Sequence, residues 1–236
     1  MDSRGDSDAG VAEAPIPPAT VRRLPSYLRA LHGLAERGEE RTRSAALAEL
    51  SGVSPAQLRK DLSFLGSFGT RGVGYDVSEL AQYITATLGI ETEHRVAIFG
   101  IGDLGHALAN YPGYSRRGFE VVALFDAAPE IIGTEVAGIV VHGRGDVARV
   151  LAEERVTLAV IATPASVAQA ATDEAVEAGI RGILSFAPVS LQVPEHVDVR
   201  TIDVSSELQI LAFHLQAGQI PTRVPGATAA GDTDRV

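Results

Sequence analysis

Three glycines with the spacing Gly100-x-Gly102-x-x-Gly105 follow the apolar segment VAIF and precede a helical pattern. Such a turn lets the backbone approach a pyrophosphate, and the N-terminus of the following helix favours the phosphates. Asp126 ends the next apolar segment, about 20 residues on, where a carboxylate accepts hydrogen bonds from ribose hydroxyls and repels a 2′-phosphate. The pattern predicts a site for NADH and NAD⁺ rather than NADPH. Its predicted residues are Gly100, Ile101, Gly102, Asp103, Leu104, Gly105 and Asp126.

A Thr-Pro pair ends a later apolar segment, TLAVIA. The carboxyl ends of parallel strands face the crevice where ligands bind, so Thr163 and Pro164 are expected beside the same site. A proline that simply ends a strand explains the pair equally well. The six histidines form no pattern typical of a catalytic acid or base, and the chain has no Cys and no cluster of metal ligands. We therefore predict neither a catalytic residue nor a metal site.

A short helical pattern, a glycine and a capped helix follow one another between residues 42 and 65. Gly52 breaks the first pattern, Ser54 is placed to cap the second helix, and Pro55 suits its first position. Three leucines at helical spacing define the apolar face of that second helix, namely Leu58, Leu62 and Leu65. This order is typical of a helix-turn-helix motif.

Polar residues of the capped helix and a glycine-rich segment after it are suited to DNA. We expect Gln57, Arg59, Lys60 and Asp61 on the exposed face, where Gln and Lys favour contacts with base edges and phosphates. The segment GTRGVGY is typical of a wing hairpin that carries Arg71 into a minor groove. A solvated polar face on a small helical domain is the alternative interpretation, and the wing favours DNA binding.

The charge distribution agrees with a DNA-binding segment in the first part of the chain. The whole chain has a net charge of −10, but residues 18–90 carry +2 and residues 91–236 carry −9. A locally positive segment is the electrostatic requirement for contacting DNA. No apolar run is long enough to span a bilayer and the N-terminal residues lack a signal-peptide core, so we expect a cytoplasmic protein without membrane contacts.

The remaining patterns predict an α/β protein with two domains. One helix is expected from Thr20 to Leu34 and a linking helix over residues 77–88. Beyond Arg95, six short apolar strands alternate with helices, which is typical of a parallel sheet covered on both faces. The expected organisation comprises a disordered tail (1–17), a winged-helix DNA-binding domain (18–88), a Rossmann-type NAD(H)-binding domain (89–204), a C-terminal dimerisation helix (205–218) and a second disordered tail (219–236).

These residues resemble a known family. QLRKDLSFLGSFGTRGVGY, VAIFGIGDLGHALANYPGY, FAPVSLQVPEHV and TIDVSSELQILAFHL are similar to segments of the Rex family of redox-sensing transcriptional repressors, over about residues 18–218. The resemblance implies a homodimer with a domain-swapped C-terminal helix and an inverted-repeat operator. It also implies that NADH and NAD⁺ compete for one pocket, that NADH releases the protein from DNA, and that respiratory and fermentative genes are repressed.

Several positions carry over by the resemblance. Gln57, Lys60 and Arg71 match DNA-contacting positions, and the glycine turn with Asp126 matches the dinucleotide fingerprint. Tyr111, beside the cofactor, and Arg29 match residues coupled to Asp203 of the partner. Some members place Phe after that aspartate to fill the nicotinamide pocket, whereas this chain has Val204.

Two other classes of protein share parts of the pattern. An NAD-dependent oxidoreductase would have a catalytic His or Lys at a strand end, and the sequence offers none. A CoA-binding domain of the acyl-CoA ligase type has a similar sheet and glycine turn but leaves the helix and wing unexplained. A comparison of NADH with CoA in a thermal-shift assay separates these alternatives.

Lys60 and Arg71 are the cations expected to contact DNA from the helix and the wing. Lys60→Ala and Arg71→Ala should each weaken operator binding and leave NADH binding intact, because each removes a cation from the DNA-facing side only. Electrophoretic mobility shift at fixed salt measures the first effect, and thermal shift with NADH measures the second. Unchanged operator affinity in both variants would contradict the winged-helix hypothesis.

Overall fold

The computed structural model describes residues 16–66, 68 and 74–217. Within them the backbone forms two compact units, each with its own hydrophobic core. The first extends to His94 and includes Gly113–Glu120, and the second contains Arg95–Pro112 and continues from Val121. The predicted order of a helical domain followed by a Rossmann-type α/β domain is confirmed.

The predicted tails and the wing fall largely outside the described residues, and Arg71 is among those outside. The last two residues of the predicted N-terminal tail, Ile16 and Pro17, are among the described residues. Ile16 packs against the first core, and Pro17 immediately precedes the first helix as its N-cap. Residues 219–236 lie wholly outside the described residues.

The described part of the first unit contains five α-helices and one two-stranded sheet. The helices are α1 (Pro18–Val21), α2 (Leu24–Glu36), α3 (Ser44–Leu50), α4 (Pro55–Ser63) and α5 (Val77–Thr87). The sheet pairs β1 (Arg41–Thr42) with β2 (Tyr75–Asp76) in antiparallel register. This pairing joins the two ends of the segment that contains α3, α4 and the residues of the predicted wing.

The single helix predicted from Thr20 to Leu34 is divided between α1 and α2. Arg22 ends α1 and Leu24 begins α2. Pro25 has no N–H to donate to the carbonyl of Val21, and its ring would clash with that carbonyl in a continuous helix. Pro25 lies instead in the first turn of α2, where no intrahelical donor is required.

Helix α4 is the recognition helix expected from the sequence, and its cap is confirmed. The Ser54 hydroxyl accepts a hydrogen bond of 3.1 Å from the backbone N–H of Gln57. Leu58 and Leu62 on its apolar face, and Leu65 just beyond its last turn, are buried as predicted. Asp61 corrects the prediction, because its exposure is 0%. Its carboxylate is buried among hydrogen-bond donors that the sequence patterns did not predict as its neighbours.

Helix α5, predicted as a linking helix at the end of the first domain, packs into the first core. Val77, Leu80 and Ile84 are buried, and the helix packs against α2. Asp76 caps it, because its carboxylate accepts a 3.0 Å hydrogen bond from Glu79 N–H. An amphipathic helix with a cap is part of the domain rather than a spacer.

The second unit is built on a seven-stranded sheet. Its strands are β3 (His94–Phe99), β4 (Phe119–Phe125), β5 (Glu135–Val136), β6 (Ile139–His142), β7 (Leu158–Ile161), β8 (Gly182–Ser185) and β9 (Asp198–Thr201). They stand in the order β5-β6-β4-β3-β7-β8-β9. The pairings β4–β6, β3–β7, β7–β8 and β8–β9 are parallel, as predicted.

Strand β5 was not predicted and pairs antiparallel with β6. The two strands are joined by Ala137 and Gly138, with φ of 54° and 80°. Positive φ at both turn positions is the geometry that keeps a two-residue hairpin in register with strand twist. The sequence pattern missed this hairpin because β5 has two residues and its turn contains Ala where Asn or Asp is usual.

Strand β3 lies between β4 and β7, so the chain leaves it first on one side and later on the other. A crevice opens at the carboxyl ends of the strands at such a reversal, and ligands bind there. The residues that follow these three strands include Gly100, Asp126 and Thr163. The topology therefore places three predicted site residues at one edge.

Four described helices complete the second unit. They are α6 (Asp103–Ala109), α7 (Val147–Glu153), α8 (Ala165–Glu177) and α9 (Val204–Ala217). Helix α9 begins one residue before the predicted segment 205–218 and exposes a series of apolar side chains. They are Val204, Leu208, Ile210, Leu211, Phe213 and Leu215, each between 50% and 72% exposed. Over the described ranges, no helix has the length and hydropathy needed to cross a bilayer.

Two glycines make the turn between β3 and α6 possible. Gly100 has a φ of +91°, and a Cβ there would lie 2.9 Å from the backbone of Ala162 and Thr163. A Cβ on Gly105 would lie 1.8 Å from the carbonyl oxygen of Gly100. Helix α6 therefore packs on the end of β3 at a distance that excludes any side chain.

Gly105→Ala should lower the free energy of unfolding of the second unit by on the order of 3 kcal/mol, because the added methyl meets rigid backbone. Chemical denaturation measures the effect. Gly145→Ala is the matched control, since a Cβ at Gly145 meets nothing within 4 Å. Equal stability of the two variants would contradict the close packing of α6.

Candidate nucleotide cleft and DNA-recognition surface

A cleft of about 670 Å³ opens at the carboxyl ends of β3, β4 and β7. Of the ten predicted cofactor-binding residues, seven line it, namely Gly100, Gly102, Asp103, Leu104, Asp126, Thr163 and Pro164. Its wall is completed mainly by apolar side chains of β3, β4 and α8 and the segments after them, including Phe99, Phe125, Ile131, Val167, Ala170 and Ala171. The volume falls within the range typical of small-molecule sites.

The glycine turn presents bare backbone to the cleft. Gly102 immediately precedes α6, and a Cβ added there would meet nothing within 4 Å. The space beside Gly102 is therefore open. Gly100 and Gly105, in contrast, are packed closely against neighbouring backbone. The first N–H groups of a helix have no intrahelical partners and are available to a ligand's acceptors.

Asp126 is held in a fixed orientation at the end of β4. One carboxylate oxygen accepts a 2.6 Å hydrogen bond from Ile101 N–H, and the other accepts a 2.8 Å hydrogen bond from Ala128 N–H. Ile101 does not line the cleft but orients a residue that does. A carboxylate has about four acceptor positions, so each oxygen of Asp126 retains capacity for a hydroxyl donor.

Thr163 contributes a buried polar atom to the same wall. Its hydroxyl has no hydrogen-bond partner among the described residues although the atom is buried. Buried hydroxyls are nearly always hydrogen-bonded, and an exception in a cleft wall indicates a position for a ligand atom. This observation supports a binding role for Thr163 beyond ending the strand.

An ion pair that the sequence analysis missed closes one edge of the cleft. Arg144 follows β6, and its Nε donates a 2.6 Å hydrogen bond to Oε1 of Glu174 on α8. This hydrogen bond and the charge of Glu174 raise the pKa of Arg144 above its ordinary value. The partners are 30 residues apart, so no local pattern joins them. The position of Arg144 at a strand end was the available signal.

The recognition helix presents cations to solvent. Arg59 and Lys60 are exposed, and Gln57 is half-buried. Arg59 Nη1 lies 3.4 Å from the hydroxyl of Ser44 at the start of α3. Arg71 lies outside the described residues, so its contact with DNA stays a prediction.

The predicted coupling residues are distributed over both units. Arg29 is exposed on α2 in the first unit, whereas Tyr111 and Asp203 belong to the second. Tyr111 is 46% exposed and is not among the residues that line the cleft. Asp203 accepts hydrogen bonds from Ser205 N–H and from the N–H and hydroxyl of Ser206, at the start of α9. The hydroxyl of Ser206 is the main reason that the pKa of Asp203 is lowered.

Metal binding has no support in the described ranges, where no group of three or more His, Asp or Glu is placed to hold an ion. The ionisable side chains that line the cleft are Asp103, Asp126, Arg144 and Glu174. None of the lining residues is a His or a Lys that could exchange a proton with a hydride donor or acceptor.

Two family models and several curated proteins match this chain. Residues 15–63 match the family model described as putative DNA-binding protein N-terminus, and residues 91–189 match the CoA binding domain model. The redox-sensing transcriptional repressor Rex of Streptomyces griseus is 55% identical over 201 residues, which are 85% of this chain and 79% of that protein. Rex of Streptomyces coelicolor is 52% identical, over 92% of this chain and 82% of that protein.

Solved structures give the same result. The crystal structure of RSP in complex with β-NAD⁺ and operator DNA has a TM-score of 0.82 and 32% identity, covering 87% of this chain and 95% of that one. The complex of RSP with β-NADH has a TM-score of 0.78 and 31% identity, covering 87% and 97%. RSP is a Rex-family repressor.

The fold and the two surfaces define a DNA-binding regulator with a Rossmann-type nucleotide domain. The chain belongs to the Rex family of redox-sensing transcriptional repressors, as the resemblance predicted. The match to a CoA-binding model concerns the Rossmann-type segment alone, whereas the Rex relatives span both units. The relatives therefore decide against the CoA-ligase and oxidoreductase alternatives.

Gly102→Ala should abolish NADH binding while stability is unchanged. The methyl points into open space in the folded chain, where it obstructs only an approaching pyrophosphate. Isothermal titration with NADH and thermal unfolding without ligand measure the two effects. A variant that binds NADH as tightly as the wild type would show that the turn does not hold the cofactor.

Proposed function

We propose that this chain is a transcriptional repressor that senses the ratio of NADH to NAD⁺ and has no catalytic turnover. It binds operator DNA through α4 and the wing, and it binds the dinucleotide in the cleft of the second unit. The proposal rests chiefly on one observation: a capped recognition helix with exposed cations and a glycine-turn cleft with a fixed Asp126 occur in one Rex-family chain.

The residues of the cleft fit NAD(H). Open space before Gly102 admits the pyrophosphate, and the carboxylate of Asp126 accepts from the ribose hydroxyls and repels the 2′-phosphate of NADPH. The buried hydroxyl of Thr163 offers a hydrogen bond that no described residue uses. Pro164 follows it in the wall.

Sensing requires different affinities for two conformations. A ligand shifts an equilibrium only by as much as its affinity differs between the two states. NADH and NAD⁺ differ in the charge and planarity of the nicotinamide ring. In the NADH-bound form the two Rossmann-type domains close, and the recognition helices leave the register of half-sites about one DNA turn apart.

The proposal includes a homodimer on an inverted-repeat operator. The apolar side chains of α9 are at least half exposed in the single chain, and a helix of this composition needs a partner surface. A domain-swapped α9 would bury them between the two copies, and a two-fold dimer matches a palindromic site. Arg29 and Tyr111 of one copy would then couple with Asp203 at the start of the partner's helix.

The regulated genes belong, by family, to respiration and fermentation, and the working compartment is the cytoplasm. The test uses a labelled inverted-repeat duplex that the protein itself selects from a random library. NADH should release the duplex, NAD⁺ should restore binding by competition, and NADPH should have little effect. A complex that persists at every ratio of NADH to NAD⁺ would overturn the proposed function.

The role of α9 yields a separate prediction. Leu211→Glu places a charge on the apolar face and should convert the dimer into monomers or aggregates, because a buried unpaired carboxylate is costly. Gln209→Glu adds the same charge on the narrow polar side of α9 and should leave the dimer intact. Light scattering measures the mass. A Leu211→Glu dimer that still releases DNA with NADH would contradict this role for the helix.

A further inference from the structure

The carboxylate of Asp61 is the centre of a buried polar cluster in the first unit. One oxygen accepts from Thr20 Oγ1 at 2.9 Å, from Arg23 Nη2 at 2.7 Å and from Gln57 Nε2 at 2.9 Å. The other accepts from Arg23 Nε and from the hydroxyl of Tyr27, both at 2.6 Å. Four side chains therefore donate five hydrogen bonds to one fully buried group.

This cluster keeps Asp61 ionised. Burial alone would raise its pKa, but the hydrogen bonds from Arg23, Tyr27, Thr20 and Gln57 lower the pKa to about 2. An ionised carboxylate only accepts hydrogen bonds. The atom that Gln57 turns toward Asp61 must therefore be its amide nitrogen, since a flipped amide would place oxygen against oxygen.

The orientation of the Gln57 amide follows from this contact. A carboxamide has two N–H donors and one carbonyl oxygen, and Asp61 takes one donor. Among the described residues, no donor is hydrogen-bonded to the Gln57 carbonyl oxygen, and the side chain is half exposed. The group thus keeps one acceptor and one donor for the DNA side of α4.

We infer that Asp61 positions Gln57 to select an adenine in the major groove. Adenine presents an N6–H donor and an N7 acceptor there, which match the carbonyl oxygen and remaining N–H of the fixed amide. Guanine presents two acceptors, so its O6 would face the Gln57 carbonyl oxygen. Asp61 itself is a positioning residue, because it is 0% exposed and its acceptors are occupied.

The inference rests on the proposed DNA-binding function and is tested with a probe that needs no known operator. Full-length protein selects from duplexes in which both halves of an inverted repeat are randomised, and sequencing gives the base preference at each position. The wild type should enrich adenine over guanine by ~10-fold at one position of each half-site. Gln57→Ala should remove that preference at that position alone.

Two further variants separate positioning from structure. Gln57→Glu offers only acceptors and is repelled by the ionised Asp61, so its carboxylate should turn toward DNA and the preference should move from adenine toward cytosine, whose N4 donates. Asp61→Asn lets the Gln57 amide flip and should reduce the adenine preference on folded protein, with NADH binding retained. Adding Asp61→Asn to Gln57→Ala should change base preference no further. If Asp61→Asn fails to fold, the Gln57→Glu result alone decides.

The outcomes distinguish the two proposals. A wild type that enriches no sequence overturns the proposed function and this inference with it. A wild type that enriches a motif left unchanged by Gln57→Ala and Gln57→Glu overturns the inference alone. A uniform loss of affinity in Gln57→Ala, without a change at any position, identifies a phosphate contact and also overturns it.

Discussion

The recognition helix is held in place by a buried negative charge. Asp61 has no solvent exposure, and Arg23 makes a two-point contact with its carboxylate. Removing one partner of such a pair costs about 3–5 kcal/mol, whereas replacing the whole pair by apolar groups is often neutral. The charge therefore defines the geometry of α4 against α1 and α2 more than it stabilises the unit. Gln57, which donates to Asp61, takes its orientation from that single carboxylate, and Arg59 and Lys60 lie on the same helix.

The geometry of the second unit depends instead on glycines, which have no side chain. Helix α6 starts against the end of β3 because Gly105 has no Cβ to meet the carbonyl of Gly100. This contact fixes the backbone of the turn, so Ile101 N–H reaches Asp126 at 2.6 Å. The ribose-binding carboxylate of the proposed site is thus oriented by the same turn that admits the pyrophosphate. One local constraint positions both recognition elements.

Sequence patterns predicted the elements and the edge at which the cleft lies, because strand order and glycine spacing are local signals. They placed Asp61 on the exposed face because a charged side chain is usually exposed, although its spacing indicated the apolar face. Asp61 stands three residues after Leu58 and four before Leu65, so its position on α4 is on the apolar face. Its partner Arg23 is 38 residues away, and no periodicity relates the two. The Arg144–Glu174 pair was missed for the same reason, since long-range pairing depends on the assembled fold.

The polar cluster also bears on how a redox signal reaches DNA. Helix α2 carries Tyr27, bonded to Asp61 on α4, and the exposed Arg29, which the proposed function couples to the partner. Charge-assisted hydrogen bonds are short and strong, so we expect a displacement of α2 to move α4 with it. In the proposed dimer, the signal would alter the spacing of the two copies of α4 and leave each helix unchanged. On the proposed function, release by NADH would then be a loss of register between half-sites, with the base preference of each half-site preserved.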